Sequence, residues 1–145
     1  MRSWRHLADE RGSASLELVI WGPVLLLLLG VVIFAGRVAQ AGLTVDAAAG
    51  EAARAATAAD TRAQAISRAR DAAHTSFESA GLKCSTVDVS LDTSQWARPS
   101  GQAAIASATV SCQIELGDLV GVSVPGTKTV SSTATSALDT YRQRR

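Results

Sequence analysis

The sequence predicts an α+β fold: a long N-terminal helix, its first part of membrane-spanning length, packed on a small antiparallel β-sheet. Three observations carry that expectation. Leu18–Gly36 is a run of 19 residues without one charge. Beyond it, from Leu43 to Ala80, small and apolar residues recur in steps of three and four without a proline. From Val87 onward the pattern changes to alternation, the period of a strand.

Composition excludes several functions. The 145 residues suit one ordinary domain, and the formal net charge of +1 supplies no basic field for nucleic acid. Aromatics are 4%, too few for base-stacking platforms. Asp88, Asp92 and Asp118 are spread over strand and loop and form no acid/base pair. His6 and His74 stand alone, and two cysteines without nearby histidines cannot complete a zinc shell. No phosphate loop or nucleophile elbow occurs. The sequence therefore predicts no enzyme, no cofactor, no metal, no nucleic acid and no small-molecule substrate.

Residues 1–12 form a basic leader with Arg2, Arg5, His6 and Arg11. Residues 13–37 form the membrane helix, whose charge-free run spans roughly 28 Å at 1.5 Å per residue, close to a bilayer core of ~30 Å. Only Arg37 is basic in the dozen residues after the run. The basic excess keeps the leader cytoplasmic and sends residues 37–145 outside, a single-pass topology in a bacterial cell membrane. Membrane lipid is thus the first expected partner.

Residues 38–81 read as an alanine-rich amphipathic helix. Its stripe is Val45, Ala48, Ala52, Ala55, Ala59, Ala63, Ile66, Ala69, Ala73, Phe77 and Ala80, averaging 3.5 residues per step. Glu51, Arg54, Arg62, Arg68, Asp71 and Glu78 lie on the other side. Asp60 and the Thr61-x-x-Gln64 pattern look like an N-cap and capping box, so the helix breaks or kinks near residue 60. Gly81 is the expected residue just past its end.

Residues 82–141 form the β domain, followed by the basic tail 142–145. Val87, Val89 and Leu91 share one face of a first strand. Ala104, Ala106, Ala108, Val110, Cys112, Ile114 and Leu116 share one face of a second, and residues 127–138 make a third. Trp96–Gly101 and Pro125-Gly126 are turns. Cys84 and Cys112 both lie in the exported part, where a disulfide is permitted; the alternative is two buried free thiols. Placing them opposite each other centres the hairpin in its turn. Yet Cys84 is out of phase with Val87, whereas Cys112 is in phase with Val110. Either Cys84 precedes the strand or a bulge intervenes.

The most informative feature is Gly12-Ser13-Ala14-Ser15-Leu16-Glu17 between the basic leader and the apolar run. It resembles the type IV prepilin pattern, in which cleavage after Gly12 makes Ser13 the new N-terminus and Glu17 the fifth residue. The stretch RGSASLELVIWGPVLLLLLGVVIFAGRVAQAGLTVDAAAGEAARAA is similar to the TadE-like family of tight-adherence (Flp) pilus proteins, and the β region and ending look like longer, actinobacterial-type members. In that family a glycine, a glutamate five residues later and a proline six after that open the membrane helix; here they are Gly12, Glu17 and Pro23. The position after the glutamate, an aromatic in processed pseudopilins of this group, is Leu18, so removed and retained leaders both stay open.

The resemblance implies a pilin-like fold and a minor pilin or pseudopilin of a tight-adherence pilus or related secretion machine. It implies assembly through Glu17, other pilin subunits and platform proteins as partners, and a prepilin peptidase if the leader is cut. It also implies a place in the extracellular pilus if the subunit is incorporated. Pro23 is the candidate kink of the membrane helix. Two other readings stay open. Ala39-Gln40-Ala41 satisfies the small-residue rule of signal peptidase, which would release a soluble protein starting at Gly42. A membrane-anchored extracytoplasmic protein of another function is the third.

Overall fold

The computed structural model describes residues 10–99, 101–121 and 125–139, with backbone only for 10–16, 119 and 120. Leader positions 1–9 and the tail 142–145 lie outside the described residues. In chain order the elements are α1 (Glu10–Thr57), α2 (Arg62–Ala80), β1 (Thr86–Asp92), β2 (Ala104–Glu115), α3 (Leu116–Val120) and β3 (Thr127–Leu138). The chain divides between Gly36 and Arg37 into two compact units.

The first unit is the apolar part of α1, with Pro23 inside the helix. Its large apolar side chains from Leu18 to Ile33 are 51–77% exposed. A leucine left in water forgoes about 1.5–3 kcal/mol relative to burial, so this surface demands hydrocarbon or other helices around it. The stretch is long and apolar enough to cross a membrane, and none of its most apolar window is buried within the chain.

In the second unit α1 carries Ala41, Val45, Ala48, Ala49, Ala52, Ala53 and Ala56 fully or almost fully buried. Alanine favours the helix and lets a neighbouring backbone approach closely. The chain leaves the helix after Thr57, whose hydroxyl donates to the Arg54 carbonyl at 2.8 Å. Thr61 is extended at φ −123°, ψ 153° and caps α2, its Oγ1 accepting from the Gln64 backbone N–H. Arg68 Nη1 donates to the Ala58 carbonyl at 2.8 Å, tying α2 to the end of α1. Gly81, at φ 67°, ends α2, and the N–H groups of Gly81 and Leu82 reach back to the carbonyls of Glu78 and Phe77.

The structure corrects the stripe. On α2 the buried residues are Ala65, Ala69, Ala73 and Phe77. Ala63 and Ala80 are exposed, and Ala55 and Ile66 only half-buried. Of the expected α2 positions Ala69, Ala73 and Phe77 are on the buried face, while Ala65, outside the expected stripe, is buried in the first turn in place of Ala63.

The sheet is antiparallel in the order β1-β2-β3. Val89 lies opposite Val110 and Val110 opposite Ser132, so the even positions of β2 share one face with Val87, Val89 and Leu91. That face is the inner one: Ala104, Ala106, Ala108, Val110, Cys112 and Ile114 are buried. Asp46 on α1 accepts a hydrogen bond from the Ser132 hydroxyl on β3, and α2 packs on β1. Trp96, from the β1–β2 connection, is also buried, though its indole N–H finds no partner among the described residues.

Leu116 departs from its expected place in the second strand. Pairing stops at Glu115, opposite Thr127, and Leu116 opens the short helix α3. Its N–H donates to the Gly126 carbonyl at 3.0 Å, which closes the hairpin. Gly121 at φ 73° ends α3, and Gly126 at φ 133° leads into β3.

Cys84 and Cys112 form a disulfide with Cα atoms 5.4 Å apart. The parity conflict resolves through the first of its two solutions. β1 starts at Thr86 and places Val87, not Cys84, opposite Cys112. Cys84 sits in the approach to the strand, where the face rule does not apply. Ser85 holds that approach alongside β2 by donating from its N–H and its hydroxyl to the Gln113 carbonyl, at 2.8 and 3.0 Å.

Candidate functional site

Gly12, Ser13, Glu17 and Pro23 all lie on α1. Gly12 and Ser13 belong to its first turns, and Ser13 is one helical turn before Glu17. The Glu17 side chain is exposed. It borders a shallow trough along one flank of the helix, floored by Gly22 and lined by Leu18, Trp21, Leu25, Leu26 and Leu29. A carboxylate at the rim of an otherwise apolar trough can stay hydrated only while the trough is open. Anything that fills it must neutralise or pair the charge.

The disulfide belongs to the second unit. Cys112 is fully buried on the central strand, and Cys84 is half-buried. No cysteine is free. Among the described residues no group of three His, Cys, Asp or Glu side chains could hold a metal ion.

The outer face of the sheet is a hydroxyl surface. Thr109 and Thr133, directly opposite on β2 and β3, share a 2.8 Å hydrogen bond, and Gln113 Nε2 donates to Thr127 Oγ1 at 3.0 Å. The Glu51–Arg54 ion pair on α1, 2.7 Å long, is exposed on both sides. Exposed pairs of this kind contribute at most about 1 kcal/mol.

One feature escaped the sequence reading. Leu43 follows the apolar run yet stands on the polar side of the buried stripe, 69% exposed. It borders a groove of about 360 Å³ between α1 and the end of α2. The available signal was phase: a leucine two positions before the buried Val45 is rotated well away from the core side.

Residues 12–54 match the model of the TadE-like protein family. The matched segment holds Gly12, Glu17 and Pro23, the whole apolar run and the first buried turns of the second unit. No curated protein and no solved structure matches the chain.

Proposed function

We propose that this chain, TadE-like over residues 12–54, is a structural minor pilin or pseudopilin of a tight-adherence pilus or related secretion machine. In this reading Leu18–Gly36 anchors it in the membrane and is also the surface through which it assembles. The observation that carries the reading is a coincidence within the matched segment. The Gly12, Glu17 and Pro23 spacing opens a helix whose apolar side chains find no cover inside the chain. The basic leader sets the N-terminus in the cytoplasm and the disulfide-bonded domain outside it. Lipid, other pilin subunits and platform proteins are the partners. The role is scaffolding rather than catalysis.

The chemistry of assembly follows from Glu17. In a lone subunit the carboxylate lies near the headgroups and keeps its water. Packing membrane helices together removes that water, and an unpaired buried carboxylate costs several kcal/mol or takes up a proton. Removal of the leader after Gly12 by a prepilin peptidase would create an ammonium at Ser13, roughly 6 Å along the helix from Glu17. Pairing of the two charges within or between subunits fixes the axial stagger, as one buried polar residue fixes register in a coiled coil. Pro23 removes one donor from the helix nearby and is the natural point for a bend.

The test is co-assembly. Glu17→Ala should insert in the membrane and fold normally but fail to co-purify with the other pilus subunits, and Glu17→Asp should be partly defective. Gly12→Val should block leader removal, because a branched side chain obstructs the scissile site. The mature N-terminus separates the readings: Ser13 for a processed subunit, Met1 for an unprocessed one, and Gly42 for a secreted protein, which would end the pilus assignment. Normal incorporation of Glu17→Ala would remove the charge-pairing mechanism.

A further inference from the structure

The trough beside Glu17 has a definite length and direction. Glu17, Trp21, Leu25 and Leu29 follow one i, i+4 row of α1, and Leu18, Gly22 and Leu26 follow the next. The trough runs between the two rows. Gly22 opens it, since a methyl group on its Cα would meet nothing within 4 Å. From Glu17 to Leu29 the trough extends about 18 Å at 1.5 Å per residue. Half of a bilayer core of ~30 Å is about 15 Å, so the trough is about as long as one leaflet is deep.

Its polarity is one-ended. Among the described residues Glu17, at its start, is the only charged side chain that lines it. Glu17 forms no ion pair among those residues. Trp21, one turn further in and 57% exposed, is of the type enriched at the membrane–water interface. The occupant that matches these features is a slender hydrocarbon one leaflet long, with a cationic hydrogen-bond donor at the end beside the carboxylate. A second uncut copy at the same height in the membrane does not match, because it would set its own Glu17 against the first.

We propose that the trough holds one acyl chain of a phospholipid whose headgroup ends in a primary ammonium, a phosphatidylethanolamine-type lipid, with the ammonium donating to the Glu17 carboxylate. The proposal rests on the membrane-anchored reading and gives Glu17 a partner before assembly. A charge-assisted hydrogen bond needs an N–H, which a primary ammonium has and a quaternary choline lacks. A glycerol headgroup would instead leave an uncompensated phosphate charge beside the carboxylate. Cutting after Gly12 would supply the Ser13 ammonium to the same carboxylate. Leader removal would then release the lipid and open the trough to another helix.

The experiment reads contact at Trp21. The full uncut chain is reconstituted in phosphatidylcholine vesicles that carry the same minor fraction of one lipid with brominated acyl chains. Bromine quenches indole fluorescence on contact. The part of the signal that disappears in Trp21→Phe belongs to Trp21, and Trp4 and Trp96 supply the remainder. Brominated phosphatidylethanolamine should quench Trp21 with an apparent affinity about fivefold above brominated phosphatidylcholine, the upper range for an exposed ion pair. Glu17→Gln should bring that ratio to one, and Glu17→Asp should keep most of it. Gly22→Leu, which fills the floor, should at least halve it. Equal quenching by both lipids in the parent overturns the headgroup pairing and leaves the anchor standing. Strongest quenching by brominated phosphatidylglycerol reverses the sign of the recognition and overturns it as well. A ratio unmoved by Gly22→Leu overturns the trough as the seat of the chain. Absence of Trp21 quenching by every brominated lipid removes the membrane-anchored reading together with the proposal. A Glu17→Gln chain that loses the lipid preference yet co-purifies normally with the other pilus subunits supports the lipid site and removes Glu17 from assembly.

Discussion

Asp92, the last residue of β1, is held by the turn that follows. Its Oδ1 accepts the backbone N–H of Ser94 at 2.9 Å. That bond, reinforced by the Ser94 hydroxyl, favours the charged form and lowers the carboxyl below the usual aspartate value. A depressed carboxylate contributes stability that is fully present above its unfolded pKa and is lost as the pH falls through the folded one. Asp92→Asn keeps an acceptor for the turn but does not titrate. Thermal unfolding of the variant from neutral pH into the acid range should show a shallower acid loss than the parent. Identical acid limbs would show that the turn draws nothing from the charge. The cysteines show what a side chain's sequence neighbours leave undecided. Alternation placed Cys112 on the inner face of β2, where it is buried. Cys84 has no alternating neighbours before it, so only the start of β1 at Thr86 shows why it need not obey the strand's parity.

Helix boundaries were legible wherever a side chain or a glycine makes its own case. Thr61 and Gly81 are such residues, one supplying an acceptor to an N-terminal N–H and the other a left-handed backbone. Thr61→Ala should therefore destabilise the domain by about 0.5–1 kcal/mol, toward the lower part of the range for lost caps because the bond to Gln64 is long. At 3.3 Å it lies beyond the usual N–H to O distances. Denaturant unfolding in detergent should register the loss, while Thr61→Ser should retain most of the cap. The stripe named the middle of α2 correctly, with Ala69, Ala73 and Phe77 buried, but failed at its ends, where Ala63 and Ala80 stand in solvent. The end of β2 was missed for a related reason. Leu116 continues the alternation, and its N–H still bonds across the hairpin to the Gly126 carbonyl, but the residues after it take up the helical turn of α3.

The second unit has a thin core. Among the described residues 13 of the 20 buried apolar ones are alanine, each offering little area at ~25 cal/mol per Å². A core of that kind depends on close backbone approach and on a restricted unfolded state. The Cys84–Cys112 bond, with a sequence separation of 28, supplies the second at roughly 3–4 kcal/mol in the chain-entropy model. Cys112→Ser should lower stability by about 2–5 kcal/mol, the range for small secreted domains, and non-reducing alkylation of the parent should label neither thiol. Stability unchanged by the substitution would mean that the alanine packing suffices alone.

Local chemistry sufficed for the charge-free run, the cap at Thr61, the stop at Gly81 and the three alternating strands, because each depends on neighbours a few residues away. It also sufficed for the Gly12, Glu17 and Pro23 pattern, which is a matter of spacing along one helix. The tertiary structure alone decided where residues far apart in the chain meet. Strand register set Val87 rather than Cys84 opposite Cys112. Packing at the ends of α2 buried Ala65 and left Ala63 and Ala80 in solvent. The return of α2 along α1 brought Ser76, Ser79 and Ala80 to the same groove as Leu43. Those outcomes depend on how whole faces fit together, and the order of residues within any one segment does not contain that fit.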